Sequence, residues 1–131
     1  MGDIMLLSEQ EVKTCIEFAF SSLLKKNSIQ IKESSLSIDH KIKIQAIVLY
    51  QDYTIDLNAS FLLNYQNNQL CFTHIQGKIE YLFLQFNLMN ILKQMLVHED
   101  IKIEDNDCYI GYILPIDTIE IKKHCLDIQL K

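Results

Sequence analysis

The chain has no arginine, no tryptophan, a single proline and three glycines in 131 residues. All twelve basic residues are lysine. Without arginine it lacks the planar, five-donor group best suited to bidentate recognition of phosphate or guanine. A formal net charge of −5 adds a field that repels nucleic acid and anionic membrane surfaces. The pairs Lys25-Lys26 and Lys122-Lys123 are too short for a basic patch and read as solvated ends of elements. No nucleic-acid partner is expected.

The glycines Gly2, Gly77 and Gly111 stand alone. A phosphate cradle needs clustered glycine because the backbone must approach the ligand closely, so three isolated glycines argue strongly against a nucleotide site. No G-x-S-x-G elbow is present either. Cys15, Cys71, Cys108 and Cys125 form no C-x-x-C pair, and they read as reduced, mostly buried thiols. No basic n-region precedes Ile4 to Leu7, which is too short for a signal h-region. Leu6 stands where a myristoylation signal needs Ser or Thr. The expectation is a cytoplasmic protein. The longest uncharged apolar stretch, Tyr81 to Leu92, is broken by Gln85, Asn87 and Asn90. It falls short of the roughly twenty residues a membrane span requires.

What is present is apolar and ordered. A 49% hydrophobic, 22% charged composition excludes disorder. The length fits one domain over residues 1–131, able to bury a core without staples. Ser8 and Glu11 make a capping box, and Leu7 and Val12 a hydrophobic staple. Val12, Ile16, Ala19, Phe20, Leu23 and Leu24 form a stripe at helical spacing. Lys25 and Lys26 suit the negative end of the dipole, and Asn27 suits a left-handed stop. The expected helix is 9–26.

The period then becomes two. Leu36, Ile38, Ile42, Ile44, Ala46, Val48 and Tyr50 share one face of an expected strand, with His40 at the same parity. After a turn at Gln51-Asp52, a second strand is expected to bury Tyr53, Ile55, Leu57, Ala59, Phe61, Leu63 and Tyr65, with Gln66 to Gln69 as a polar turn. A third runs from Leu70 to about Leu84, with a bulge or bend near His74-Ile75 that Gly77 would permit. Strands of this length are about twice the usual. A second helix is expected from Leu88 to Val97, with Asn87 as N-cap and Leu88, Ile91, Leu92, Met95 and Leu96 buried. Short strands follow at 101–103, 108–114, 119–121 and 126–130, with one helical turn after Pro115. The fold class is α+β: a long-stranded, curved antiparallel sheet packed against an N-terminal helix and a second, mid-chain helix.

The candidate chemistry is sparse. Cys71 and His74 point to opposite faces of a regular strand, as do His124 and Cys125, and no second ligand pair exists. Glu104-Asp105-Asn106-Asp107 lacks the glycine and distal glutamate of an EF-hand loop. No cysteine sits at a helix N-terminus beside a base. No catalytic residue, metal ligand or cofactor is expected, and the chain reads as a non-enzyme.

One amphipathic helix, a long-stranded meander, a greasy second helix and short strands around Leu114-Pro115-Ile116 follow in order. This order resembles a module of the tubular lipid-binding (TULIP) superfamily, over about Val12 to Leu130. The resemblance implies a long, curved sheet wrapped around a helix with an apolar groove. A second helix-gripping sheet, cystatin-like or START-like, is the alternative fold. The apolar excess on both helices and the long strands points to an apolar small molecule, a lipid or acyl chain, bound between sheet and helices. Phe20, Leu24, Phe61, Leu92, Met95 and Leu96 are the candidate lining. The alternative is that these side chains fill one another's space. The chain would then serve as a protein-interaction or assembly module, with a protein partner or a homodimer covering the edges Leu36–Tyr50 and Leu126–Leu130.

Overall fold

The computed structural model describes residues 3–95 and 100–131. Helix α1 (Glu9–Lys26) falls where the capping signals place it. The Ser8 hydroxyl accepts the Glu11 N–H at 3.2 Å, and the Glu11 carboxylate accepts the Ser8 N–H at 3.0 Å. Both halves of the capping box are therefore made. The helix stops differently from expectation. Asn27 has φ −97°, and the left-handed residue is Ser28, at φ 58°. Asn27 contributes through its side chain, whose Nδ2 donates to the Leu23 carbonyl at 2.8 Å. Ala19 is exposed rather than part of the buried stripe. Glu9 anchors the helix start to the sheet: its Oε2 accepts the Ile38 N–H at 2.7 Å and lies 3.2 Å from His124 Nδ1.

The single strand expected over Leu36–Tyr50 is a hairpin. It is formed by β2 (Ile29–Ile38) and β3 (Ile42–Tyr50), with the turn at residues 39–41. Ile38 pairs with Ile42, Leu36 with Ile44 and Ser34 with Ala46. Paired residues share a parity, so the alternation runs through the turn without a break. His40 lies in that turn and is exposed, not on a buried strand face.

Strands β4 (Tyr53–Gln66) and β5 (Gln69–Tyr81) are long, as expected. Two-residue turns precede each of them, with Gln51 and Asp52, then Asn67 and Asn68, all at positive φ. Such turns match the right-handed twist of the flanking strands. The bulge in β5 is real: the β4–β5 register shifts between Ser60 and Leu62, opposite His74, which has φ 53°. The His74 N–H donates to Asp107 Oδ1 at 3.0 Å, and the Ile75 N–H to the Asn106 carbonyl at 2.9 Å. Gly77 does not permit this bulge, because its φ is not positive. It provides clearance instead. A Cβ there would stand 2.4 Å from the Asn58 carbonyl oxygen and 2.7 Å from Leu88 Cδ2.

The chain turns at Leu82-Phe83 into β6 (Leu84–Asn87), which pairs back onto β5. Asn87 Oδ1 accepts the Met89 N–H at 2.9 Å and so caps α2 (Leu88–Met95). The end expected at Val97 lies outside the described residues. Then come β7 (Ile101–Glu104), β8 (Asp107–Gly111), β9 (Ile116–Lys122) and β10 (Cys125–Leu130). The large antiparallel sheet has the order β2-β3-β4-β5-β8-β7, with β6 on the rest of the outer edge of β5. Where one helical turn was expected after Pro115, β9 begins. A proline just before a strand removes no ladder bond, and its carbonyl accepts the Lys131 N–H at 3.0 Å.

A second sheet has the order β1-β10-β9, where β1 (Ile4–Ser8) is an element the periodicity did not reveal. The expected edges are therefore corrected. β10 is the middle strand of the small sheet, and β3 is an interior strand of the large one. The edges are β2, β7 and the short β6 in one sheet, β1 and β9 in the other. Val12, Ile38, Ile42 and Leu126 are fully buried in a core that joins both sheets to α1. Phe61 and Phe72 stack within it at 5.5 Å. The architecture is α+β, with a long-stranded antiparallel sheet packed against the N-terminal helix.

Candidate functional site: an apolar cavity under the helices

Strand alternation fixes which side chains look inward from the large sheet. Ile44, Ala46 and Val48 of β3, Ile55, Leu57 and Ala59 of β4, and Ile79 of β5 share the inner face. Facing them, α1 presents Ile16, Phe20 and Leu24, and α2 presents Ile91, Leu92 and Met95. These side chains look inward, yet they are only half-buried. The reason is a cavity of about 720 Å³ between the helices and the sheet. Protein interiors ordinarily leave few voids larger than a water molecule. A cavity of this size lies within the roughly 300–1,000 Å³ of small-molecule sites.

Five of the six expected lining residues, Phe20, Leu24, Phe61, Leu92 and Met95, border this cavity together. Leu96 lies outside the described residues. The sequence reading missed Ile29 and Ile31 on β2, and it took Tyr50 and Tyr53 for inward strand positions. The signal for Ile29 and Ile31 was present. They keep strand alternation, but at odd parity, because the β2–β3 register shifts between Ile31 and Glu33. That shift puts odd residues before it and even residues after it on one face.

The cavity is closed at one end and open at the other. Phe61, Phe72, Ile75 and Cys108 line the closed end and are buried. Tyr50, Tyr53 and Phe86 line the open end and are exposed. Tyr53 and Tyr81 meet edge-on at the mouth, with ring centroids 5.2 Å apart. The charged lining residues, Lys13 and Glu17, both come from α1. Glu17 is already engaged, accepting the Ser34 hydroxyl at 2.6 Å.

The thiols divide. Cys71 and Cys108 are buried, Cys125 is half-buried, and Cys15 is exposed, against the expectation of mostly buried cysteines. Burial pushes the Cys108 thiol up to about 11, so the thiol in the cavity wall stays protonated at neutral pH. His74 is exposed at the bulge, and His124 sits beside Glu9. Among the described residues no group of three His, Cys, Asp or Glu side chains could hold a metal ion. Asp127 is a buried polar residue that the alternation did not flag, 6% exposed on β10. Lys122 Nζ meets its Oδ2 at 2.9 Å, and it takes no part in lining the cavity. No helix among the described residues is long and apolar enough to cross a membrane. Compared with protein-family models, with curated proteins and with solved structures, the chain finds no match in any of the three.

Proposed function

We propose that the protein is a non-enzymatic binder of an apolar ligand, a lipid or single acyl chain, held between the large sheet and the two helices. The observation that carries this reading is the apolar cavity of about 720 Å³. An apolar groove of that size, open at one end, leaves its lining exposed to water, and an apolar ligand would remove both its own surface and that lining from water. The closed end suits the tail of a chain. The tyrosine mouth suits a polar end, because phenol rings have an apolar body and a hydrogen-bonding tip. The tubular lipid-binding resemblance remains the fold analogy for such a groove. Four free thiols fit a reducing compartment, and the proposal places the protein in the cytoplasm.

Titration with a fluorescent fatty acid tests the reading. The wild-type chain should show one saturable site, displaced by unlabelled fatty acid. Ala46→Phe, which projects a ring from the middle of β3 into the cavity, should abolish that site and raise the thermal midpoint. Were the interior already filled, the same substitution would overpack it and cost about 1–3 kcal/mol.

A second reading, assembly through an exposed strand edge, has its own observation. Ile4 and Leu6 on the edge strand β1 are exposed. Sedimentation that gives a monomer at high protein concentration removes the homodimer form of it.

A further inference from the structure

The β5–β6 turn carries Leu82 and Phe83 at its tip, 78% and 89% exposed. Leu82 has φ 56°, a conformation that bulky residues seldom adopt. Leu84 and Phe86 continue the apolar surface down β6. Ile29 pairs with Tyr50, Tyr50 with Tyr53, and Tyr81 with Leu84. The α1–β2, β3–β4 and β5–β6 connections therefore lie at one end of the large sheet. That is the end at which the cavity opens. Tyr50 and Tyr53 are exposed there, and Lys25 and Lys26 are exposed on the last turn of α1.

Single exposed apolar residues are ordinary. At this end of the sheet the most exposed apolar groups are a leucine and a phenylalanine, together with Tyr50, Tyr53, Lys25 and Lys26, and with Asp52 as the acidic residue of the β3–β4 turn. That order, apolar at the tip and amphipathic behind it, is the order of a surface that enters a bilayer interface. We infer that the Leu82-Phe83 tip docks the protein on a lipid bilayer, with the cavity mouth turned toward the membrane. A bilayer suits this surface better than a second copy of the chain does. A projecting two-residue turn is a wedge, whereas an isologous dimer needs a self-complementary patch. Docking stands on the tip alone. Its consequence, that an acyl chain passes between bilayer and cavity without crossing water, rests on the ligand reading above.

The chain has no tryptophan, so Phe83→Trp places its only indole at the tip. On adding phosphatidylcholine vesicles, the emission of this variant should shift to the blue, and wild-type protein should float with the vesicles. The double variant Leu82→Asp/Phe83→Asp should partition about a hundredfold more weakly, since two apolar contacts with the bilayer are lost. It should keep its circular dichroism, its thermal midpoint and its fatty-acid binding in vesicle-free solution. Unchanged indole emission, or flotation that survives the double substitution, would overturn the inference. So would a concentration-dependent dimer abolished by the double substitution, because the tip would then belong to a second copy. Flotation that needs Leu82 and Phe83, in a protein that binds no fatty acid, would support docking and remove the ligand reading instead.

Discussion

Tyr65 lies 4% exposed at the end of β4, and its hydroxyl serves a segment far along the chain. It donates to the Tyr112 carbonyl at 2.6 Å and accepts the Leu114 N–H at 2.9 Å. Tyr65→Phe keeps the ring and strands both backbone groups. The expected cost is about 1–3 kcal/mol. It would be read as a lower urea midpoint with an unchanged slope; an unchanged midpoint would show that the 112–115 segment is held by other means. The sequence marked Tyr65 as an inward residue of its strand, and that much was legible from alternation. Its partners were not, because they stand 47 and 49 residues away and no local pattern connects them. His40 illustrates the opposite failure. It shared the parity of buried isoleucines, but parity says nothing about whether a residue is in a strand or in the turn joining two strands.

Among the elements, the bounds of α1 were legible because its signals are local, although Ala19 left the buried stripe and the left-handed stop fell on Ser28. Cap, stripe and terminal lysines all lie within the helix or next to it. The β2–β3 hairpin was hidden because its register conserves parity, so two strands imitate one. Glu9 ties α1 to that hairpin and to the β9–β10 turn, through Ile38 and His124. The Ile38 N–H, and secondarily His124, hold the Glu9 carboxyl below its ordinary 4.5. A carboxyl with a depressed folded value stabilises the fold fully above its unfolded value, and that contribution is lost as pH falls through the folded one. Thermal midpoints measured between about pH 3 and pH 7 should therefore place Glu9→Gln below wild type near neutrality, with the gap closing below about pH 4.5. A gap that widens in acid would contradict this assignment.

Gly77 belongs to the same scale. Its missing Cβ leaves room for the Asn58 carbonyl on β4 and for Leu88 at the start of α2. In Gly77→Ala the nearest atom is backbone oxygen at 2.4 Å, which cannot rotate away. The substitution should cost about 1–3 kcal/mol through overpacking. It should also weaken fatty-acid binding, because α2 forms one wall of the cavity. A variant with wild-type melting and wild-type binding would show that α2 sits further from the sheet.

The molecule as a whole presents more inward apolar surface than its elements cover. Two helices and the long strands β3, β4 and β5 turn apolar faces to a common interior, and the cavity is the part left over. That excess was legible in composition and periodicity, which is why Phe20, Leu24, Phe61, Leu92 and Met95 emerged together. The mouth was not. Whether Tyr50, Tyr53 and Tyr81 close a core or frame an opening depends on how far the helices stand from the sheet, and periodicity carries no distances. The exposed Leu82-Phe83 tip was likewise absorbed into an expected strand running to Leu84. The bound state should be more stable than the empty one, since a ligand that binds only the folded chain stabilises it in proportion to the logarithm of its concentration. The direct measurement is native mass spectrometry of the freshly purified protein. The account predicts a species heavier than the 15.3 kDa chain by one acyl-chain lipid, released when the protein is denatured. A bare chain mass under gentle conditions, in a protein that also takes up no added fatty acid, would contradict it.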